Sequence, residues 1–218
     1  LKNGRKAAPP NLNIPRNQVV VFALYTQQNA VLKLTAQLFP LKPGEARQVR
    51  LELKFPKEDW KEVAQAEVLY PGWDAHFRIE EWDDSVDVQY RVRHGKGAKF
   101  EGLIRKDPRN KEEIVVANLS CNSSRTTGPR KEIVDNLRKL NPDLLFFGGD
   151  QTYRHTEHTA GWIEFGLQYR DIIRDRPTVA IPDDHDVGHP NVWGENGKHS
   201  SIPGNADGGY KFPVDYVN

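Results

Sequence analysis

From Ile114 to Ile181 the chain alternates three apolar, β-prone runs with two stretches of helical periodicity, and this order restricts the fold more than any other feature. The runs are Ile114–Cys121, Leu144–Asp150 and Pro177–Ile181. Between the first two, Ile133, Val134, Leu137 and Leu140 follow Gly128-Pro129 at helical spacing, and Asn141-Pro142 stops the pattern. Between the second and third, Trp162, Phe165, Leu167, Tyr169, Ile172 and Ile173 predict a helix within 160–174, closed by Arg176-Pro177. Strand–helix–strand units repeated in this way form a parallel sheet with right-handed crossovers. All three strands then end on the same edge, where open α/β sheets bind ligands.

Those ends carry chemistry. The first run closes on Ser120-Cys121, which holds the only cysteine, and the second on Gly148-Gly149-Asp150, whose glycines permit a sharp turn. The third leads into Pro182-Asp183-Asp184-His185-Asp186. Adjacent carboxylates repel and raise one another's pKa, so a cation is their usual compensation. Hard cations take carboxylate oxygens, with imidazole as a ligand or proton donor beside them. Standing alone, the acidic run reads equally as a solvated turn. Joined to Cys121, Asp150 and Tyr153 it predicts a binuclear metal site, in which a bridging carboxylate holds two cations about 3.5–4 Å apart. Thiolate and phenolate suit a trivalent or transition metal and the aspartates suit Ca²⁺, Mg²⁺ or Mn²⁺, so two unlike metals are expected.

At these residues a family resemblance appears. Gly149-Asp150-Gln151-Thr152-Tyr153 resembles the GD-x-x-Y block of calcineurin-like metallophosphatases. Asp183-Asp184-His185-Asp186 is similar to the DDH-[ED] block that replaces GNH-[ED] in PhoD-like alkaline phosphatases, and Ser120-Cys121 looks like that family's first block. Three blocks in order across 112–190 are more specific than any one of them. The resemblance implies metal-dependent hydrolysis of phosphate esters, mono- or diesters, at a binuclear centre. Fe³⁺ with Ca²⁺ is the implied pair, with Mn²⁺, Mg²⁺ or Zn²⁺ as alternatives. It further implies that Cys121 and Tyr153 bind the ferric ion, that Asp150 bridges to the second metal and that Asp184 binds it. His185 would act beside the phosphoryl group. Asp186 would orient His185 or help hold the Ca²⁺-type metal, and Asp183 has no firm role.

Other conspicuous residues have plainer readings. Arg125, four residues after Cys121, offers a bidentate guanidinium for phosphate, yet an arginine in a polar loop is more often simply solvated. His155 and His158 lie in the polar stretch Arg154–His158, which reads as an exposed lead-in to the second helix rather than as ligands. His189 reads first as part of a turn, and Trp162 and Trp193 as packing residues.

The first half is of another kind. Apolar and charged residues alternate in runs such as Val31–Ala36, Val49–Leu53, Phe77–Glu80 and Val86–Val92, separated by turn residues. About seven such strands predict a β-sandwich, interrupted only by a short helix-period stretch from Lys57 to Ala66. The expected fold is α+β overall: an extended segment 1–17, a β-sandwich of immunoglobulin or fibronectin kind over 18–107, and over 112–218 the first βαβαβ half of a metallophosphatase α/β sandwich. The sandwich has no ligand cluster of its own, since His76 and His94 stand apart and Asp83-Asp84 falls in a loop beside Trp82. The alternative to an enzyme is therefore a non-catalytic β-sandwich binding protein carrying an incomplete metallophosphatase domain.

Lys plus Arg at 31 nearly cancels Asp plus Glu at 30, so no basic field points to nucleic acid. A phosphate ester is the expected partner, and the oligomeric state is open. A single cysteine leaves the compartment undetermined, and neither a membrane-spanning apolar run nor a signal peptide is present. The resemblance implies a periplasmic or secreted enzyme. The chain starts at Leu1 without any Met, and nothing after His199 supplies another histidine. Both ends thus read as cut, with downstream metal ligands expected beyond Asn218.

Overall fold

Turn chemistry and alternating apolar residues build the first part of the chain. In the computed structural model, which describes residues 13–122, 129–155, 157–187, 198–203, 207 and 209, strand β1 (Val20–Gln28) folds back on β2 (Val31–Leu38). The two-residue turn Asn29-Ala30 has both φ values positive, at 52° and 56°, the backbone twist that matches a tight hairpin. Strand β5 (Asp74–Ile79) joins the other edge of β2 and completes a sheet ordered β1-β2-β5. Strands β3 (Gln48–Lys54), β4 (Lys61–Glu67), β6 (Val88–His94) and β7 (Ala98–Ile104) form a second antiparallel sheet, ordered β4-β3-β6-β7. Alternate residues of both sheets, among them Leu32, Leu34, Val49, Leu51, Tyr90 and Val92, meet in one buried cluster. Each such side chain contributes about 1.5–3 kcal/mol on leaving water.

The Lys57–Ala66 stretch, expected to be helix-like, contains all but the last residue of the edge strand β4. Its pairing with β3 shifts register between Leu51 and Glu52: Glu52 faces Glu62 while Leu51 faces Ala64, so Val63 is the extra residue. A bulge of this kind breaks the period of two and imitates a helical spacing in sequence.

The second part follows the predicted order. Strands β8 (Val116–Leu119), β9 (Leu144–Gly148) and β10 (Thr178–Ile181) pair in parallel as β10-β9-β8, with helices α1 (Lys131–Leu140) and α2 (His158–Ile173) as the crossovers. Asn141 ends α1 in the left-handed region and donates its N–H to the Leu137 carbonyl at 2.9 Å, an αL cap before Pro142. Ala117, Leu145 and Phe147 share one sheet face and pack with residues of both helices. In strand β9 Leu145 and Phe147 are buried while Leu144 and Phe146 are half-buried. Both helices cover the same side, so the other face keeps Val116 and Ile181 about half exposed, at 51% and 45%.

Helix α2 joins the two parts. Its Ile163 belongs to the first cluster, its Phe165, Tyr169, Ile172 and Ile173 to the second, and Trp162 packs on both. Gly166 lies so close to β1 that a Cβ there would fall 2.0 Å from the Phe22 ring. The architecture is thus mixed α/β, with two antiparallel sheets and one parallel sheet among the described residues.

Candidate metal centre

The carboxyl ends of β8, β9 and β10 lie side by side, and hydrogen bonding continues past them. Cys121 donates its N–H to Gly149 O at 3.3 Å and Asn122 to Asp150 O at 2.8 Å. Three residues here have positive φ: Cys121 at 56°, Gly149 at 96° and Asp150 at 57°. For Cys and Asp this conformation costs on the order of 1–3 kcal/mol and persists because the surrounding bonds hold it. Gly149 could not be replaced, because a Cβ there would stand 2.4 Å from Asp183 Cβ. The missing side chain lets the acidic loop after β10 close over the end of β9.

That loop is fastened by Asp186. Its carboxylate accepts the N–H of Thr152 and of Asp183, both at 3.0 Å, tying the Tyr153 segment to the acidic run. Burial pushes the Asp186 carboxyl above its ordinary range, against the lowering effect of those donors. Gln151 is buried and reaches both Phe147 O and Ile181 O at 3.2 Å, bracing β9 to β10.

Within this frame Asp150, Asp184 and His185 bring ligand atoms to within 4.8 Å of one another. Asp150 is only 6% exposed, and the Asp184 side chain 13%. Tyr153 Oη donates to Asp150 Oδ2 at 2.8 Å, and Cys121 Sγ lies 3.7 Å from the same oxygen. Burial first, then the bond to Asp150 and the contact with Cys121, push the Tyr153 phenol well above its usual value. Asp150 Oδ1 and Asp184 Oδ2 are buried without a hydrogen-bond partner. An unsatisfied buried acceptor costs about 1–3 kcal/mol, and more when charged. Two such oxygens, on residues whose ligand atoms lie within 4.8 Å of one another, fit a cation, and the oxygen, sulfur and imidazole donors around them fit either a hard or a transition metal.

Cys121, Asp150, Tyr153, Asp184 and His185 are therefore gathered at one edge of the sheet. Asp186 also lies here, with its oxygens on backbone N–H groups rather than on the His185 ring. Arg125, His189 and Trp193 lie outside the described residues. Two site residues escaped sequence reasoning. His155 is half-buried rather than part of a solvated lead-in, and its Nε2 lies 2.7 Å from His185 Nδ1. Arg130 lines a cleft of about 490 Å³ with Cys121, Asn122 and Asp150, and its Nε donates to Asn122 Oδ1 at 2.8 Å. The signal available for both was position alone, just beyond a strand-end block.

No protein-family model matches this chain, and no curated protein matches it. Its fold is similar to a solved structure of PhoD, with a TM-score of 0.67 and 14% identity over 87% of this chain and 43% of that one. It is also similar to purple acid phosphatase PPD1 isolated from yellow lupin (Lupinus luteus) seeds, with a TM-score of 0.58 and 15% identity over 86% of this chain and 39% of that one. The chain spans less than half the length of either solved structure. At these identities the likeness is one of fold. Among the described residues no helix is long and apolar enough to cross a membrane.

Proposed function

We propose that this chain carries part of a PhoD-like metallophosphoesterase, a hydrolase of phosphate mono- or diesters with a binuclear metal centre. The observation that carries this reading is the pair of buried, unpartnered oxygens of Asp150 and Asp184 at the ends of neighbouring parallel strands. The fold likeness to two phosphatases supports it. Cys121, Asp150, Tyr153 and Asp184 would hold the metals, with Fe³⁺ and Ca²⁺ matching the thiolate–phenolate and carboxylate sides. When bound, such cations neutralise phosphate oxygens and lower the pKa of water.

The chain's own residues do the rest. His185 presents Nε2 toward the carboxylate cluster, 4.0 Å from Asp184 Oδ2, where its N–H hydrogen-bonds the charge that develops on the phosphoryl and leaving oxygens as water adds to phosphorus and the P–O bond to the alcohol breaks. Asp186 keeps the loop that carries His185 on the end of β9. Arg130 adds a guanidinium to the adjoining cleft, matched to phosphate oxygens. The finer architecture belongs to the same reading: a β-sandwich over 18–107 beside a metallophosphatase half-domain over 112–218, from an exported protein.

Metal analysis together with hydrolysis of mono- and bis-nitrophenyl phosphate tests it. Bound iron and calcium with ester hydrolysis are expected, and Asp150→Asn should abolish metal retention. Metal retention without hydrolysis would point to the non-catalytic alternative. Failure to bind any cation at millimolar supply would remove the site itself.

A further inference from the structure

We propose that His155 is a positioning residue for His185, fixing the ring tautomer and orientation that turn the His185 Nε2–H toward Asp184. This rests on the hydrolase reading above and extends it to a residue of the loop between β9 and α2. His155 Nε2 lies 2.7 Å from His185 Nδ1. The ring planes are 17° from parallel, with centroids 4.9 Å apart. A separation of 2.7 Å is far shorter than the ~3.5 Å at which two ring faces touch. The rings therefore lie side by side, and a proton sits between the two nitrogens.

Which nitrogen donates follows from the far side of His185. Its Nε2 looks toward Asp184 Oδ2, an oxygen that has no other partner. A neutral imidazole carries one N–H and one lone pair, and an N–H facing a carboxylate is favoured over a lone pair facing it. The proton of His185 thus resides on Nε2, Nδ1 accepts, and His155 donates. Tyr153 covers one face of the His185 ring, with centroids 4.3 Å apart. That contact limits swinging but does not distinguish the ring from its flipped form, whereas the bond from His155 does.

The loop bearing His155 is anchored well enough to act as a reference point. Arg154 binds Glu164 at 2.6 Å and Glu157 at 2.8 Å, and its N–H donates to Thr152 Oγ1 at 3.2 Å. Thr152 is itself fastened to Asp186. The positions of His155 and of the acidic loop are thereby set by one connected group of bonds.

Long-range ¹⁵N–¹H spectra of the metal-free chain, at about pH 8.5 where ordinary imidazoles are neutral, separate the two tautomers. The His185 signals are those lost in His185→Gln. Wild type and His155→Gln, which keeps an in-plane donor, should show the Nε2–H form alone. His155→Phe and His155→Ala should both show a mixture. In the metal-loaded chain His155→Phe should lower kcat for nitrophenyl phosphate about 10- to 100-fold with KM little changed, and Gln should restore most of it. A single unchanged tautomer in both the Phe and Ala variants, an Nδ1–H form in wild type, or an unchanged kcat in His155→Phe would overturn the proposal. A wild-type chain that hydrolyses no ester yet shows the expected tautomer pattern would overturn the hydrolase reading and leave the positioning role standing.

Discussion

Asp150 and Asp184 crowd negative charge into a space where each leaves one oxygen without a donor. In the absence of a cation that arrangement opposes folding, and it persists only if the bound state repays it. Asp184→Asn removes one of the two charges at nearly constant shape. It should raise the urea midpoint of the metal-free chain by the equivalent of on the order of 1 kcal/mol, while metal retained after dialysis falls. A lower midpoint in chelator would mean that Asp184 is satisfied by something other than a metal. The gathering of Cys121, Asp150, Tyr153, Asp184 and His185 at one sheet edge was legible because each sits at a fixed offset from a strand end, and strand ends are read from local periodicity. His155 and the anchoring bonds of Asp186 were not, because they depend on left-handed residues and a loop closure that leave no periodic trace.

Helix α2 shows the same limit one level up. Its extent was readable from apolar spacing, yet its packing on two cores at once follows from where β1 lies, which no window of sequence reports. A glycine inside a helix ordinarily costs about 1 kcal/mol against alanine, so Gly166→Ala would stabilise an isolated helix. Here the new methyl meets the Phe22 ring, and overpacking of this kind costs about 1–3 kcal/mol. A net loss of stability is expected on chemical denaturation, recovered in part by adding Phe22→Leu. Strict additivity of the two substitutions would place the strain elsewhere. The bulge in β4 yields the opposite contrast. Val63 is 42% exposed, so Val63→Thr should stay within about 0.5 kcal/mol of wild type. Leu51→Ala, on the buried side of the same irregularity, should cost about 2–5 kcal/mol. Equal effects in thermal melts would show that the register shift lies at another pair.

At the scale of the whole molecule, the antiparallel and parallel parts meet along a seam of specific bonds. Within the antiparallel part Tyr25 Oη accepts the Arg105 N–H at 2.9 Å and Gln27 Nε2 donates to Arg105 O at 2.7 Å, holding in place a residue whose side chain reaches across that seam. Leu103 N–H lies 3.1 Å from both Arg174 O and Asp175 Oδ1, and Arg105 and Arg176 both donate to Asn141 Oδ1 at 2.9 Å. The cap of α1, the turn after α2 and the strand leaving the second sheet are thus bound to one another, and the two cores should unfold together. Tyr25→Phe leaves the Arg105 N–H without its acceptor, at a cost of about 1–3 kcal/mol. It should lower the midpoints seen by tryptophan fluorescence and by far-ultraviolet dichroism equally. Burial also raises the Tyr25 phenol well above its ordinary value. Its contribution is therefore intact below the unfolded phenol value of about 10 and declines as pH rises beyond it, because only the unfolded chain then ionises. The Phe variant should lose part of that alkaline decline, the remainder belonging to Tyr90, Tyr153 and Tyr169, whose phenols burial raises as well. Two separate transitions, with only one displaced by Tyr25→Phe, would show that the seam does not couple the sheets.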